Sequence, residues 1–152
     1  MPKWGYSATV EYGEGAKASG RDLRISPKAA REICQTIRYM KLDEARTFLS
    51  DVIEKKKAVP YRRHKKKVPH KAGLERWYAG RYPVKAAQAI MKVVDSVEAN
   101  SEDIGLDITR LKITHAASQR ARILKRNIPR AFGRSSPHFD HLCHIELIAQ
   151  EI

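Results

Sequence analysis

The 152-residue sequence predicts an α+β protein. Three observations carry that prediction. Apolar residues recur at spacings of three and four in three separate stretches of the first two thirds, the mark of buried helical faces. Two stretches of the last third, LDITRLKITHAA and HLCHIELI, instead alternate with period two, as strands do. A long basic segment joins those two strands, so they form an antiparallel hairpin by connection.

Residues 1–20 contain glycine and lysine with weak patterning and read as an N-terminal arm, leaving residues 21–152 as one domain. Residues 21–25, RDLRI, read as a short strand. Ser26-Pro27 has the form of a helix start, Ser at the N-cap and Pro at the first position. Ala30, Ile33, Cys34 and Ile37 then make one buried face. A second helix opens at Asp43, buries Ala45, Phe48, Leu49, Val52 and Ile53, and runs out into Lys55, Lys56 and Lys57, cations suited to its negative end. Periodicity is lost over residues 58–82, so residues 55–82 read as an irregular basic loop. Pro83 starts a third helix with Ala87, Ile90, Met91, Val94 and Val97 inward, fading in EANSEDIG. The hairpin then covers residues 106–148. Its first strand turns Leu111, Ile113, His115 and Ala117 to one face; its second turns Cys143, Ile145 and Leu147 to one face and Leu142, His144, Glu146 and Ile148 to the other. Pairing out to residue 119 and back from residue 134 gives arms of about 14 residues, roughly 45 Å at ~3.3 Å per residue. Alternation of apolar residues stops near Ala117, so only the base of such a hairpin can enter the core.

The charge of +13 is unevenly placed. Residues 55–74 hold nine Lys/Arg and no acid; residues 108–139 hold eight and no acid. The other 100 residues net −4. Two long windows without a carboxylate suit a polyanion. In the first, Lys55, Lys56, Lys57, Arg62, Arg63, Lys65, Lys66, Lys67 and Lys71 supply phosphate contacts, joined by Arg76 and Arg81 just beyond it. Tyr61 and Trp77, flanked by arginines, suit unpaired RNA bases; Trp77 equally suits a core anchor over the third helix. In the second window the cations are Arg110, Lys112, Arg120, Arg122, Lys125 and Arg134, with Arg126 and Arg130 nearer the turn. Ile123, Leu124, Ile128 and Phe132 stand among them, and exposed apolar side chains there call for a partner that encloses the tip.

Other chemistry finds little support. No phosphate-binding glycine loop, dinucleotide fingerprint or nucleophile elbow is present. His138, His141 and His144 lie on or near a strand, where a spacing of three alternates faces and cannot converge on a metal. Asp43-Glu44 and Glu102-Asp103 are adjacent acids of the helix-start kind. No catalytic residue, cofactor or metal is expected. Cys34 and Cys143 read as buried thiols of a reducing compartment, though a single disulfide fits the sequence too. No apolar run reaches membrane-span length and no secretory leader is evident, so a cytoplasmic protein with no membrane partner is expected. No dimerisation stripe is left over for a homo-oligomer.

Pro129-Arg130-Ala131-Phe132-Gly133-Arg134 resembles the tip motif P-R-A-x-G-R of the large-subunit ribosomal protein family numbered twenty-two in the bacterial scheme. RISPKAAR from Arg24, Ala99-Asn100, and Gly105-Leu106-Asp107 match that family in order, so the resemblance spans residues 21 to about 150. VPYRR from Val59, GRYP from Gly80 and CHIE from Cys143 resemble its archaeal and eukaryotic form, the archaeal type above all. The resemblance implies three helices packed on a small antiparallel sheet, with the hairpin reaching through large-subunit ribosomal RNA to the peptide exit tunnel. It places Arg126, Asn127, Ile128, Pro129 and Arg130 at the tunnel wall, beside the nascent peptide and the loop of a second tunnel-constriction protein. A role in subunit assembly is also implied. The competing reading is a free-standing nucleic-acid regulator or RNA chaperone, but a major-groove reader wants an exposed basic helix, and here the cations avoid the helices.

Overall fold

The structure, a computed structural model, describes residues 5–11 and 13–152. Strand β1 (Gly15–Leu23) comes first. The strand read over residues 21–25 therefore begins earlier, and residues 15–20 leave the expected arm for the sheet. Its inner face is made of Ala16 and Ala18, too small to register as a hydrophobic stripe. Residues 1–4 and 12 of the expected arm lie outside the described residues.

Helix α1 (Pro27–Ile37) has proline in its first turn and buries Ala30, Ile33, Cys34 and Ile37 as expected, along with Glu32. Ser26 holds the N-cap position, yet its side chain makes no capping bond and the first turn carries no acid. Helix α2 (Leu42–Ile53) opens one residue before Asp43, with Asp43 and Glu44 at the positive end of its dipole. Leu42, Ala45, Leu49 and Val52 are buried; Phe48 and Ile53 are partly so.

The loop over residues 55–82 is ordered in spite of having no periodicity. Strands β2 (Val59–Pro60) and β3 (Gly80–Arg81) close its neck as a two-residue antiparallel ladder. Inside it the Tyr61, Lys71 and Gly80 N–H groups donate to the carbonyls of Ala79, Tyr78 and Pro69 at 2.9, 2.9 and 3.1 Å. Helix α3 (Val84–Ile104) runs on through EANSEDI instead of fading there, because Val97 and Ser101 continue its buried stripe. It stops at Gly105, whose φ of 85° is the left-handed conformation that glycine adopts without a Cβ clash.

After a single 3-10 turn at Ile108–Arg110 come strands β4 (Leu111–Leu124), β5 (Asn127–Pro129), β6 (Ser135–Pro137) and β7 (Asp140–Glu151). The main sheet is antiparallel in the order β1-β7-β4. Strand β7 is central because every residue from 142 to 149 is buried. Cys143, Ile145 and Leu147 join Ile33, Leu49, Ile90 and Val94 of the helices in one core.

On the opposite face Glu146, 1% exposed, is held by the N-terminal segment: the Ser7 N–H and hydroxyl donate to its Oε2 at 3.0 and 2.7 Å, and Arg21 lies 3.3 Å from Oε1. Burial alone would raise this carboxyl, but the two Ser7 bonds, Arg21 and His115 together hold it below the usual glutamate range. Its contribution to stability is therefore complete above the unfolded-state pKa and disappears as pH falls through the lower folded value. An acid titration followed at the Ser7 amide by NMR should show release of this segment below the ordinary glutamate range. A midpoint at or above that range would refute the clamp.

Two β-bulges shape β4. Ile113 pairs with Ala149 and His115 with Ile148, so Thr114 is an extra residue. One inserted residue exchanges the two faces of the strand beyond it. Ala116, 1% exposed, takes the inward place expected of Ala117, and His115 turns to the opposite face beside Ser7. A second extra residue falls between Arg120 and Ile123. Pairing then continues to Leu124↔Asp140 and, through β5 and β6, to Pro129↔Ser135. The outgoing arm thus reaches Pro129, ten residues beyond residue 119, and at ~3.3 Å per residue its path is roughly 60 Å.

The free edges of the sheet are plugged near the body. On β4 the Tyr39 N–H donates to the Ile113 carbonyl, the Ile113 N–H to the Met40 carbonyl, and Arg38 to the Ala116 carbonyl. On β1, Asn100 of α3 donates to the Lys17 carbonyl.

Candidate nucleic-acid interface

Exposure divides the hairpin in two. Its base lies in the core, whereas every residue from 125 to 135 is exposed. At the turn Phe132 and Gly133 have φ of 58° and 64°, two consecutive left-handed residues of type I′ form. The Arg130 N–H donates to the Arg134 carbonyl at 2.8 Å and the Arg134 N–H to the Ala131 carbonyl at 3.4 Å. Left-handed backbone at Phe132 costs about 1 kcal/mol. The phenyl ring is 92% exposed, with the Arg134 guanidinium 6.0 Å over it.

The hairpin cations differ in their partners, and Lys125 is exposed just beyond β4. Arg110, Arg122 and Arg126 meet acids of the body: Glu151 at 3.3 Å, Asp22 at 3.7 Å and Asp140 at 3.6 Å. Among the described residues no carboxylate pairs with Arg130 or Arg134 at the tip. Asn127, Ile128 and Pro129 stand exposed between Arg126 and Arg130. Lys112 lies at the base, where Lys41 bridges to it across the strand edge. Arg120 sits where β4 leaves the body.

In the loop, Glu32 of α1 is the organising residue. Its carboxylate is 1% exposed and accepts from the backbone N–H groups of Arg62 and Arg63 at 3.0 and 3.3 Å, with Arg31 at 3.0 Å. The basic loop is therefore pinned by a buried acid thirty residues away in sequence. Trp77 is half-buried; its indole N–H donates to the Tyr61 carbonyl at 3.0 Å, its ring stacks on Tyr78 at 5.2 Å, and the Lys65 ammonium lies over both rings. It fastens the loop to itself rather than capping α3. Tyr61 differs from expectation: at 5% exposure its ring belongs to the core, covered by Arg81, and offers no face to a base. Tyr78, which follows Arg76 and Trp77 in the stretch read as suited to unpaired bases, is 46% exposed. Lys56 and Lys57 fold back onto Glu54 and Asp51, and Lys55, at φ 62°, turns the chain out of α2. Such exposed pairs are worth little and are open to exchange for phosphate. Lys66, Lys67, Lys71 and Arg76 complete the loop surface, with Lys71 over the Tyr82 ring and Arg81 donating to the Lys67 carbonyl.

Two clefts meet at residues 26–28. One, of about 580 Å³, lies between the α1 start and the hairpin base and is lined by Arg24, Lys28, Lys85, Arg120, Phe139 and His141, with Asp140. The other, of about 620 Å³, lies between the α1 start and the loop. The two basic windows are thus joined into one face by Lys28, beside a helix N-terminus without acid or side-chain cap. Arg24, Lys28 and Lys85 come from outside both windows. Charge-run counting missed them; the signal available was Arg24 and Lys28 within the RISPKAAR stretch.

The remaining candidates do not gather into a reactive centre. Burial, with Cys143 adding to it, pushes the Cys34 thiol up to about 12, and burial pushes Cys143 up to about 11. Both are free, buried thiols and pack as small apolar residues. The buried His144 accepts the Asp22 N–H at Nδ1, while His138 and His141 are exposed. Among the described residues no group of His, Cys, Asp and Glu could hold a metal ion, and no helix is long and apolar enough to cross a membrane.

Comparison with known proteins adds to this geometry. A family model described as ribosomal protein L22p/L17e matches residues 18–150. A large ribosomal subunit protein uL22 of Archaeoglobus fulgidus is 53% identical over 137 residues, 90% of this chain and 88% of that one. The protein of the same name from Methanopyrus kandleri is 51% identical over 99% of both chains. That from Methanoculleus marisnigri is 45% identical over 100% of this chain and 99% of its own. These relatives are archaeal, in keeping with the archaeal-type stretches at Val59, Gly80 and Cys143.

Proposed function

Because the chain belongs to the ribosomal protein L22p/L17e family, and so is a structural component of the large ribosomal subunit and not an enzyme, we propose that its basic face binds large-subunit ribosomal RNA and that its hairpin runs through that RNA to the peptide exit tunnel. The single observation that carries this reading is the hairpin beyond residue 124, a paired ladder with no core of its own, exposed apolar side chains and acid-free cations at its tip. A bare two-stranded ribbon is marginal in water. RNA supplies both the counter-charge and the cover.

On this reading residues 5–11 and the main sheet stay with the body on the subunit exterior. The loop over residues 55–82, the clefts about Lys28 and the base cations grip RNA helices. Arg126, Asn127, Ile128, Pro129 and Arg130 line the tunnel, next to a neighbouring ribosomal protein's constriction loop and the passing nascent peptide. Assembly is assisted because one chain then ties distant RNA segments together.

Sedimentation of tagged protein from a lysate, before and after a high-salt wash, tests the reading. Salt-resistant migration with large subunits is the expected result; recovery at the top of the gradient in low salt would favour a free-standing regulator. A charge reversal sharpens the test. Arg130→Glu at the tip should deplete the protein from mature subunits relative to precursors, whereas Lys92→Glu on the exposed side of α3 should not. Equal incorporation of the two variants would remove the tip from the mechanism.

A further inference from the structure

The cleft between the start of α1 and the β2–β3 loop has a composition that phosphate gripping alone does not require. Its rim carries Lys28, Arg63, Lys65, Lys66 and Arg81, with no acid among its lining residues. Its walls, however, carry an apolar surface, made by Ala29, Val68, Tyr82 and Pro83 with Tyr61 behind them, beside Ser26 and His64. At about 620 Å³ it falls within the ~300–1,000 Å³ range of small-ligand sites. Lys71 lies 5.2 Å over the Tyr82 ring and Glu32 fixes the Arg63 backbone, so rim and wall are both held in place before any ligand arrives.

A paired RNA helix presents phosphates on a convex surface and keeps its bases stacked, so it can satisfy the rim but not the walls. A base turned out of its stack supplies both a flat apolar face and an attached phosphate. We infer that this cleft holds one unpaired nucleotide of RNA, its base against Tyr82 and Val68 and its phosphate among Lys28, Arg63 and Arg81. The inference rests on the RNA-binding reading above and makes the archaeal-type loop a reader of one unstacked nucleotide, beyond its role as a source of charge. Base contact here is sequence-tolerant, because every base has an apolar face.

The test uses the full chain, isotope-labelled, titrated by NMR with AMP, ribose 5-phosphate and inorganic phosphate. Stacking is worth ~1–3 kcal/mol per base, so AMP should bind about five-fold or more tightly than ribose 5-phosphate. Its ring current should move the Val68 and Ala29 methyl signals and the Tyr82 ring signals. In Tyr82→Ala that preference should disappear while phosphate binding stays. Equal affinity for AMP and ribose 5-phosphate, or AMP shifts confined to other surfaces, overturns the inference; this comparison needs only the unaltered protein, so it stands even if the variant fails to fold. Binding of a large-subunit RNA fragment, followed in the same preparation at two salt concentrations, separates the cases. If the fragment binds and AMP shows no preference, only the nucleotide pocket is lost; if the fragment does not bind, the RNA-binding reading itself falls.

Discussion

Replacing residues 125–139 with a two-residue Asn-Gly turn should leave the protein folded and flatten the salt dependence of its RNA binding. Leu124 and Asp140 are the last pair of the main ladder, and an Asn-Gly turn joins paired strands without splaying them. Nothing in the excised segment belongs to the hydrophobic core, so the melting temperature should move by less than about 5 °C. The excision removes Lys125, Arg126, Arg130 and Arg134. Each phosphate that goes without its cation changes the slope of log K against log salt by ~0.7–0.9, so four of them flatten it by about 3. Fluorescence anisotropy with a large-subunit RNA fragment over a range of salt reads that slope. An unchanged slope would mean that the tip touches no phosphate, and the path of the hairpin through RNA would have to be abandoned.

The second large effect runs against simple charge arithmetic. Glu32→Ala removes a negative charge from beneath a basic loop, and Coulomb's law alone would have RNA bind more tightly. Because the Glu32 carboxylate accepts from the Arg62 and Arg63 backbone and pairs with Arg31, its loss should instead free the loop. Leaving such groups without their partner costs about 2 kcal/mol of stability. Ordering each freed residue again on RNA costs ~1–2 kcal/mol, so affinity should fall about ten-fold. Hydrogen exchange should accelerate at Arg62 and Arg63 first. Glu32→Gln keeps the shape and one acceptor oxygen and should recover much of both losses. Tighter RNA binding by Glu32→Ala would show that the loop needs no anchor.

These two residue sets also mark the limit of what is legible in the sequence. The α1 stripe, the α3 stripe and the paired strands were readable because each rests on local periodicity. The exposed turn at the tip was readable because proline and glycine among cations leave no apolar stripe to bury. The first part of β1, residues 15–20, escaped because its inner residues are alanines and because pairing with β7 is a contact between chain ends. Thr114 escaped because a bulge is a property of two strands in register, and one extra residue then misassigned His115, Ala116 and Ala117. Glu32 escaped because an acid on a helix looks like solvent-facing charge until its partners, thirty residues on, are known. Tyr61 was misjudged for the mirror-image reason: arginine neighbours in sequence say nothing about where the ring itself points. Lys28 joins two clefts only in three dimensions.

The plugged edges of the sheet bear on how separate copies of the chain meet one another. Near the body, Tyr39, Met40, Arg38 and Asn100 occupy outward-facing backbone groups of β4 and β1. Further along the hairpin no such plugs occur among the described residues, and Ile123, Ile128 and Phe132 are exposed there. Unpaired strand edges beside exposed apolar side chains are templates for chain-to-chain association, and like charge on the arms is the main restraint. Raised salt screens that restraint. Copies with nothing over the hairpin should therefore associate through it, and more readily as salt is raised.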